Sequence, residues 1–188
     1  MASDATSAGG DGTPVDEYIK TMTHNYVSRK ADIEGAKRVE IKGRSILHEG
    51  VKVRGDLQIV KIGRYCEIGA LTSLEPPEIP FRKDKRVPMI IGSHTHIGKE
   101  CTIQGAAIGS MVSIGDNVKI GKRCIIKDNC IIESNVTLGD DTVIPPFTLI
   151  SQNNPTFYQQ LPPSVAVQTQ EVSLDRYSEF KQKQRAIQ

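Results

Sequence analysis

Residues 91–150 read IGSHTHIGKECTIQGAAIGSMVSIGDNVKIGKRCIIKDNCIIESNVTLGDDTVIPPFTLI, with an aliphatic residue recurring at Ile91, Ile97, Ile103, Ile108, Ile114, Ile120, Ile126, Ile132, Leu138, Ile144 and Ile150. The step is six residues throughout, apart from one of five between Ile103 and Ile108. An alternating strand has period two and an amphipathic helix about 3.6, so neither alone produces this spacing. A period of six is the signature of a parallel β-helix, in which each hexapeptide forms one side of a three-sided coil.

The position two before each anchor supports this reading. It holds Cys101, Val112, Val118, Cys124, Cys130, Val136, Thr142 and Thr148, all small enough to share the interior of a narrow prism. Glycine follows the anchor at Gly92, Gly98, Gly109, Gly115, Gly121 and Gly139, where a missing Cβ permits a sharp corner. Asn117, Asn129, Asn135 and Asp141 lie three after their anchors. These residue types tolerate left-handed backbone, so they are expected to turn the corners.

Extending the beat backwards gives Ile41, Leu47 and Val53, a three-residue insertion, then Ile62, Ile68 and Leu74. The stretch EPPEIPFRKDKRVP at 75–88 breaks the rhythm and suits a loop excursion from one corner. The anchors amount to between five and six coils, a column roughly 25 to 30 Å tall at the strand spacing of ~4.8 Å. The expected organisation is a disordered tail at 1–16, a lead-in at 17–38, the β-helix at 39–152, and a linker with a capping helix at 153–188. In that helix Val172, Leu174, Tyr177 and Phe180 form a stripe able to pack on the column.

The 188 residues suffice for one continuous core but not for two domains. A net charge of +2 gives no field that would imply nucleic acid. Lys99, Lys122, Arg123 and Lys127 gather near corners, read first as a solvated face, with an acidic-partner patch as the alternative. All four cysteines, Cys66, Cys101, Cys124 and Cys130, occupy the inward small position and read as core residues. With no CxxC spacing, signal peptide or apolar span, the expected location is a reducing, cytosolic compartment without direct membrane insertion.

Hexapeptide prisms host two enzyme types, gamma-class carbonic anhydrases and acyltransferases. Val53-Arg54-Gly55-Asp56 followed by Ile62-Gly63 resembles the opening of the anhydrase family, in which an arginine and an aspartate shape the subunit interface; Arg54 and Asp56 match. That family winds left-handed and holds zinc with three histidines, whose positions here read Glu75, Lys99 and Gln104. A protonated lysine has no lone pair for zinc and a glutamine amide is a weak ligand, so no metal site is expected there. The family's Gln-Asp pair reads Gly69 and Ala70. His94 and His96 are the closely spaced histidines, and His24 and His48 are far along the chain, so they are expected at the surface or at corners. An acyltransferase needs a histidine base, which His94 or His96 could supply only with a neighbouring subunit. No phosphate-cradling glycine motif is present, and no cofactor is expected.

Segments outside the repeat carry a more specific resemblance. Tyr18-Ile19, Asn25-Tyr26-Val27-Ser28-Arg29, Ile62-Gly63-Arg64-Tyr65-Cys66, Pro76-Pro77, Phe81, Ile120-Gly121-Lys122-Arg123-Cys124, Ile144-Pro145-Pro146-Phe147-Thr148 and Tyr177 to Lys181 together resemble the dynactin subunit 5 family. The resemblance implies an all-β fold, a left-handed parallel β-helix of hexapeptide repeats with a short C-terminal α-helix. It implies a non-enzymatic structural subunit of the dynactin pointed-end complex, in the cytoplasm and on the cytoskeleton, supporting dynein-driven transport on microtubules. The implied partners are dynactin subunit 6 as a sister β-helix, the actin-related protein at the filament's pointed end and dynactin subunit 4, with dynein and cargo adaptors reached indirectly. Arg54, Asp56, Phe81, Phe147, Leu174, Tyr177 and Phe180 are the candidate partner residues; capping of the column is the alternative for Phe147 and the helical stripe. A homotrimeric hexapeptide enzyme, a divergent anhydrase or an acyltransferase, is the competing class.

Overall fold

The structure, a computed structural model, describes residues 17–187; the expected tail at 1–16 lies outside the described residues. Nearly all strands are two to five residues long, because the chain must turn after each one to keep its anchor inside. Strands one coil apart pair in parallel with anchor over anchor, as in Ile91 beside Ile108 and Ile126 beside Ile144.

Three walls result. The first contains Tyr26–Ser28, Ile46–Leu47, Glu67–Ile68, His96–Ile97, Ser113–Ile114, Ile131–Ile132 and Thr148–Ser151. The second contains Asp32–Glu34, Lys52–Arg54, Ser73–Leu74, Thr102–Ile103, Lys119–Ile120 and Thr137–Leu138. The third contains Val39–Gly43, Val60–Arg64, Met89–Ile91, Ala107–Ile108, Ile125–Ile126 and Val143–Ile144. This is a left-handed parallel β-helix of six coils, with a further strand in the first wall. The anchors from Leu47 to Ile150 are at most 5% exposed and form one continuous core.

Two expectations need correction. The segment at 17–38 is not merely a lead-in: Tyr26–Ser28 pairs in parallel with Ile46–Leu47, and Asp32–Glu34 with Lys52–Arg54, so the first coil begins there. The beat from Ile33 to Ile41 is stretched by the short 3-10 turn Ala36–Arg38, which hides that coil from a six-residue ruler. Residues 154–160 are not a plain linker but a strand, antiparallel to Thr148–Ser151. Together with Tyr18–Lys20 on Tyr26–Ser28, it closes both edges of the first wall.

The corners follow the expected phase. Asn117, Asn129, Asn135 and Asp141 all have φ near +60°. So do Arg44, Tyr65, Leu71, His94, Glu100, Met111, Arg123 and Phe147, three after their own anchors, although all of these side chains except that of His94 disfavour the conformation. The stacked coils on either side over-determine the corner and override local preference.

The small inward position has more chemistry than size alone. Cys66 Sγ donates to the Gly92 carbonyl at 3.0 Å, Cys101 Sγ to Gly115 at 3.1 Å, Cys124 Sγ to Gly139 at 3.0 Å and Cys130 Sγ to Pro145 at 3.1 Å. Ser45, Thr72 and Thr95 make the same bond with hydroxyls, to Gly63, Gly98 and Gly109. A thiol or hydroxyl at this position satisfies a carbonyl turned inward at the corner of the next coil.

The C-terminal helix, α1 (Val165–Ile187), is longer than expected and does not lie over the column's end. It runs along the first wall from Val165, which shares a cleft with Ile131, to Tyr177 and Phe180, which touch the first two coils. At about 1.5 Å per residue its 23 residues span roughly 34 Å, somewhat more than the height of six coils. Among the described residues, no helix is long and apolar enough to cross a membrane.

Candidate functional site

Outward-facing residues one position before each anchor stack up the walls. In the first wall this places Glu67 directly beside His96 and Ile46. His48, one residue past Leu47, reaches the same carboxylate: its Nε2 lies 2.9 Å from Glu67 Oε1. His96 Nδ1 lies 3.2 Å from Glu67 Oε2, close enough for charge pairing but misaligned for a hydrogen bond. Arg176 of α1 donates to the same oxygen at 3.4 Å, and Tyr18 Oη lies 2.9 Å from His48 Nδ1. Burial alone would raise the Glu67 carboxyl. The His48 hydrogen bond and the His96 contact outweigh it and hold the group well below the usual carboxylate range.

His94 goes elsewhere. It turns the corner beside Tyr65, with the two rings stacked at 5.2 Å and 12°, and its Nδ1 lies 2.7 Å from Ser173 Oγ on α1. Burial lowers its pKa. Arg44 also sits over the Tyr65 ring, 5.5 Å from its centre. The two closely spaced histidines therefore diverge, while the distant His48 shares a carboxylate with His96. Between α1 and the wall lies a cleft of about 180 Å³, floored by Ile46 and Ile131 and edged by His94, His96, Thr169 and Arg176.

Of the three positions that correspond to zinc ligands in gamma-class anhydrases, Glu75 and Gln104 meet each other while Lys99 lies apart. Gln104 Nε2 donates to Glu75 Oε2 at 3.2 Å, and Arg86 donates to the other Glu75 oxygen at 3.2 Å. Lys99 lies in the hollow beside Ala70 and Asp116, where the Asp116 carboxylate accepts its backbone N–H at 2.7 Å. Among the described residues no group of three His, Cys, Asp or Glu is placed to hold a metal.

The candidate partner residues separate into two sets. Arg54 and Asp56 form a bidentate pair at 2.9 and 2.8 Å on the surface, with Glu34 3.5 Å from Arg54. Phe81 caps the excursion, which is a hairpin of Glu78–Ile79 and Arg82–Arg86, and is fully exposed. Phe147 is a half-buried corner residue whose carbonyl accepts the Leu161 N–H. Leu174 is 37% exposed. Tyr177 and Phe180 instead face the chain's own wall: Tyr177 is buried, and Phe180 packs edge-on against Tyr18, Tyr26 and His48. As free partner contacts these two are corrected, because intramolecular packing covers them. Of the corner cations, Lys122 pairs with Glu78 and Arg123 with Asp141.

A six-coil left-handed prism with a helix along one wall defines a hexapeptide-repeat β-helix protein. The crystal structure of AntD, an N-acyltransferase from Bacillus cereus in complex with dTDP and 3-hydroxybutyryl-CoA, is similar in fold: TM-score 0.53 at 14% identity, over 82% of this chain and 88% of that one. A point mutant of the same enzyme, in complex with dTDP and coenzyme A, gives a TM-score of 0.51 at 14% identity, over 81% and 89%. Sequence is more specific. A family model described as dynactin subunit 5 matches residues 13–187. Dynactin subunit 5 from Dictyostelium discoideum is 39% identical over 95 residues, which are 50% of this chain. The match spans about half of that relative's own length, 48%. The chain belongs to the dynactin subunit 5 family.

Proposed function

We propose that this chain is a non-enzymatic structural subunit of dynactin, placed in its pointed-end complex in the cytoplasm and on the cytoskeleton. The observation that carries this reading is the family match from residue 13 to residue 187, which includes the terminal helix and the first coil as well as the repeat. Repeat phase alone would match many hexapeptide proteins; the flanks distinguish them. The contributions proposed for it are support of dynein-driven transport along microtubules and attachment of cargo through adaptors. Its direct partners are a sister β-helix (dynactin subunit 6), the actin-related protein at the pointed end and dynactin subunit 4. A rigid prism suits such work because its surfaces need little ordering on binding. Arg54, Asp56, Phe81, Phe147 and Leu174 remain its proposed contact residues.

The test is the native size and composition of the tagged protein purified from its own cells, by sedimentation followed by mass spectrometry. Co-migration with actin-related protein and dynein components in one large particle supports the reading. A compact species of about three copies without partners overturns it in favour of a homotrimeric enzyme.

A further inference from the structure

Where the C-terminal half of α1 meets the first coils, positive charge collects at one corner of the prism. Lys20 ends the strand Tyr18–Lys20, Lys42 and Arg44 flank Gly43, Arg64 pairs with Gly43 one coil on, and Lys181 and Arg185 lie one helical turn apart on α1. These six cations line two adjoining open hollows of about 490 and 210 Å³, which share His24 and Arg44. Neither hollow is lined by a carboxylate. Elsewhere on the surface cations stand beside acids: Lys30 with Glu49, Lys61 with Glu40, Lys122 with Glu78 and Arg123 with Asp141. Among the described residues, the side chains of Lys20, Lys42, Arg64, Lys181 and Arg185 pair with no carboxylate, and Arg44 donates to the Tyr65 hydroxyl instead.

We propose that these hollows bind a small polyphosphorylated molecule of the inositol polyphosphate class, either free or as the headgroup of a phosphoinositide lipid. Like charges one turn apart disfavour a helix, and the cations of three further segments add to the repulsion, so the folded chain gains from a bound polyanion. Arg185, in the last turn of α1, also suits the negative end of the helix dipole, but that reason does not reach Lys20, Lys42 or Arg64. The density of charge selects phosphate. Each phosphate monoester carries roughly −1.5 to −2, so neighbouring phosphates on one small ring meet several cations at once, whereas an acidic peptide spreads single charges along its length. The guanidinium forks of Arg44, Arg64 and Arg185 match paired phosphate oxygens. The larger hollow falls within the roughly 300–1,000 Å³ of small-molecule sites. A nucleotide fits less well: the Tyr65 ring already carries Arg44 and His94 against it, and Tyr177 is buried, so neither ring offers a free face to a base.

The experiment uses the full tagged chain purified with whatever assembles with it. Binding of radiolabelled inositol hexakisphosphate is measured at physiological ionic strength, and flotation is measured with phosphatidylcholine vesicles that contain or lack phosphatidylinositol bisphosphate. The double variants Lys42→Glu/Arg64→Glu and Lys181→Glu/Arg185→Glu are compared with Lys119→Glu/Lys127→Glu, the same charge change on exposed cations of later coils. Losing a charge-assisted phosphate contact weakens binding by roughly tenfold or more, so a fall of that size in both hollow variants, with the control unchanged, supports the proposal. Co-purifying proteins contribute equally to wild type and variants, so the difference belongs to this chain. If the same variants also lose flotation with the bisphosphate vesicles, the lipid headgroup is the source; if only the soluble compound is affected, the free molecule is. No binding by wild type, or equal binding by wild type and all three variants, overturns the proposal. Displacement by a polyglutamate peptide as readily as by unlabelled inositol hexakisphosphate overturns it in favour of an acidic peptide. Should the Glu variants fail to fold, Lys42→Gln/Arg64→Gln and Lys181→Gln/Arg185→Gln make the same comparison without reversing charge.

Discussion

The Tyr177 hydroxyl donates a 2.8 Å hydrogen bond to the backbone carbonyl of His24, 153 positions earlier in the chain. It joins the middle of α1 to the residue that opens the first coil, in a contact that also brings Tyr26 and Tyr65 around the same ring. Tyr177→Phe removes the bond and leaves the packing, for an expected loss of about 1 kcal/mol. Tyr177→Ala also empties the ring's site and costs about 3 kcal/mol. Chemical denaturation measures both. Amide exchange should locate the added opening in α1, and unchanged helix protection in Tyr177→Ala would contradict the clasp.

The Glu67 carboxyl is held low in the folded protein, so it contributes stability above the unfolded carboxylate pKa of about 4.3 and loses that contribution as pH falls toward the folded value. Glu67→Gln is therefore expected to melt below wild type at neutral pH, with the difference narrowing once pH drops under about 4. A constant difference across the acid range would show that the charge does not carry the effect.

Burial pushes the Cys66 thiol up to about 11 and raises the other three as well. Thiolate, not thiol, attacks alkylating reagents, so the native protein should resist labelling near pH 8, at about the free-thiol pKa, and react fully only in guanidinium. Rapid labelling of any one site in the native protein would place that thiol outside the core.

Gly63 passes so close to the next coil that an added Cβ would sit 2.6 Å from the Ser93 nitrogen and 2.7 Å from the Gly92 carbonyl carbon. Gly139, at the same phase near the open end of the column, has nothing within 4 Å of that point. Gly63→Ala should lower stability by about 1–3 kcal/mol, and Gly139→Ala by less than about 0.5 kcal/mol. Equal melting temperatures for the two would mean that neighbouring coils yield more readily than their backbones suggest.

The core is legible because the anchors from Leu47 to Ile150 are aliphatic and keep a six-residue step through long runs, and periodicity needs no knowledge of partners. Val27 and Ile33 are also six apart, but the eight-residue step to Ile41 disguises them; the signal is a beat with a local insertion. Asn and Asp announce the left-handed corners, whereas Tyr65, Leu71 and Phe147 occupy the same phase without the usual preference. The Glu67 cluster is less accessible still. His48 meets Glu67 after 19 residues, and Glu67 meets His96 after 29, because the hairpin at 78–86 lengthens one coil. Outward residues stack only when coil lengths are known, and an excursion hides the length of its own coil.

The helix laid against the first wall also governs how the column yields to force. A coil can leave the stack by breaking its parallel ladders one row at a time, as a zipper opens. Because α1 bonds to His24, Glu67 and His94 and packs on Tyr26 and His48, it ties together the first four rows along that side. A pull on the C-terminus peels Phe180, Tyr177 and Arg176 away in succession before it loads the last coil, so the helix acts as a mechanical fuse for the rod beneath it.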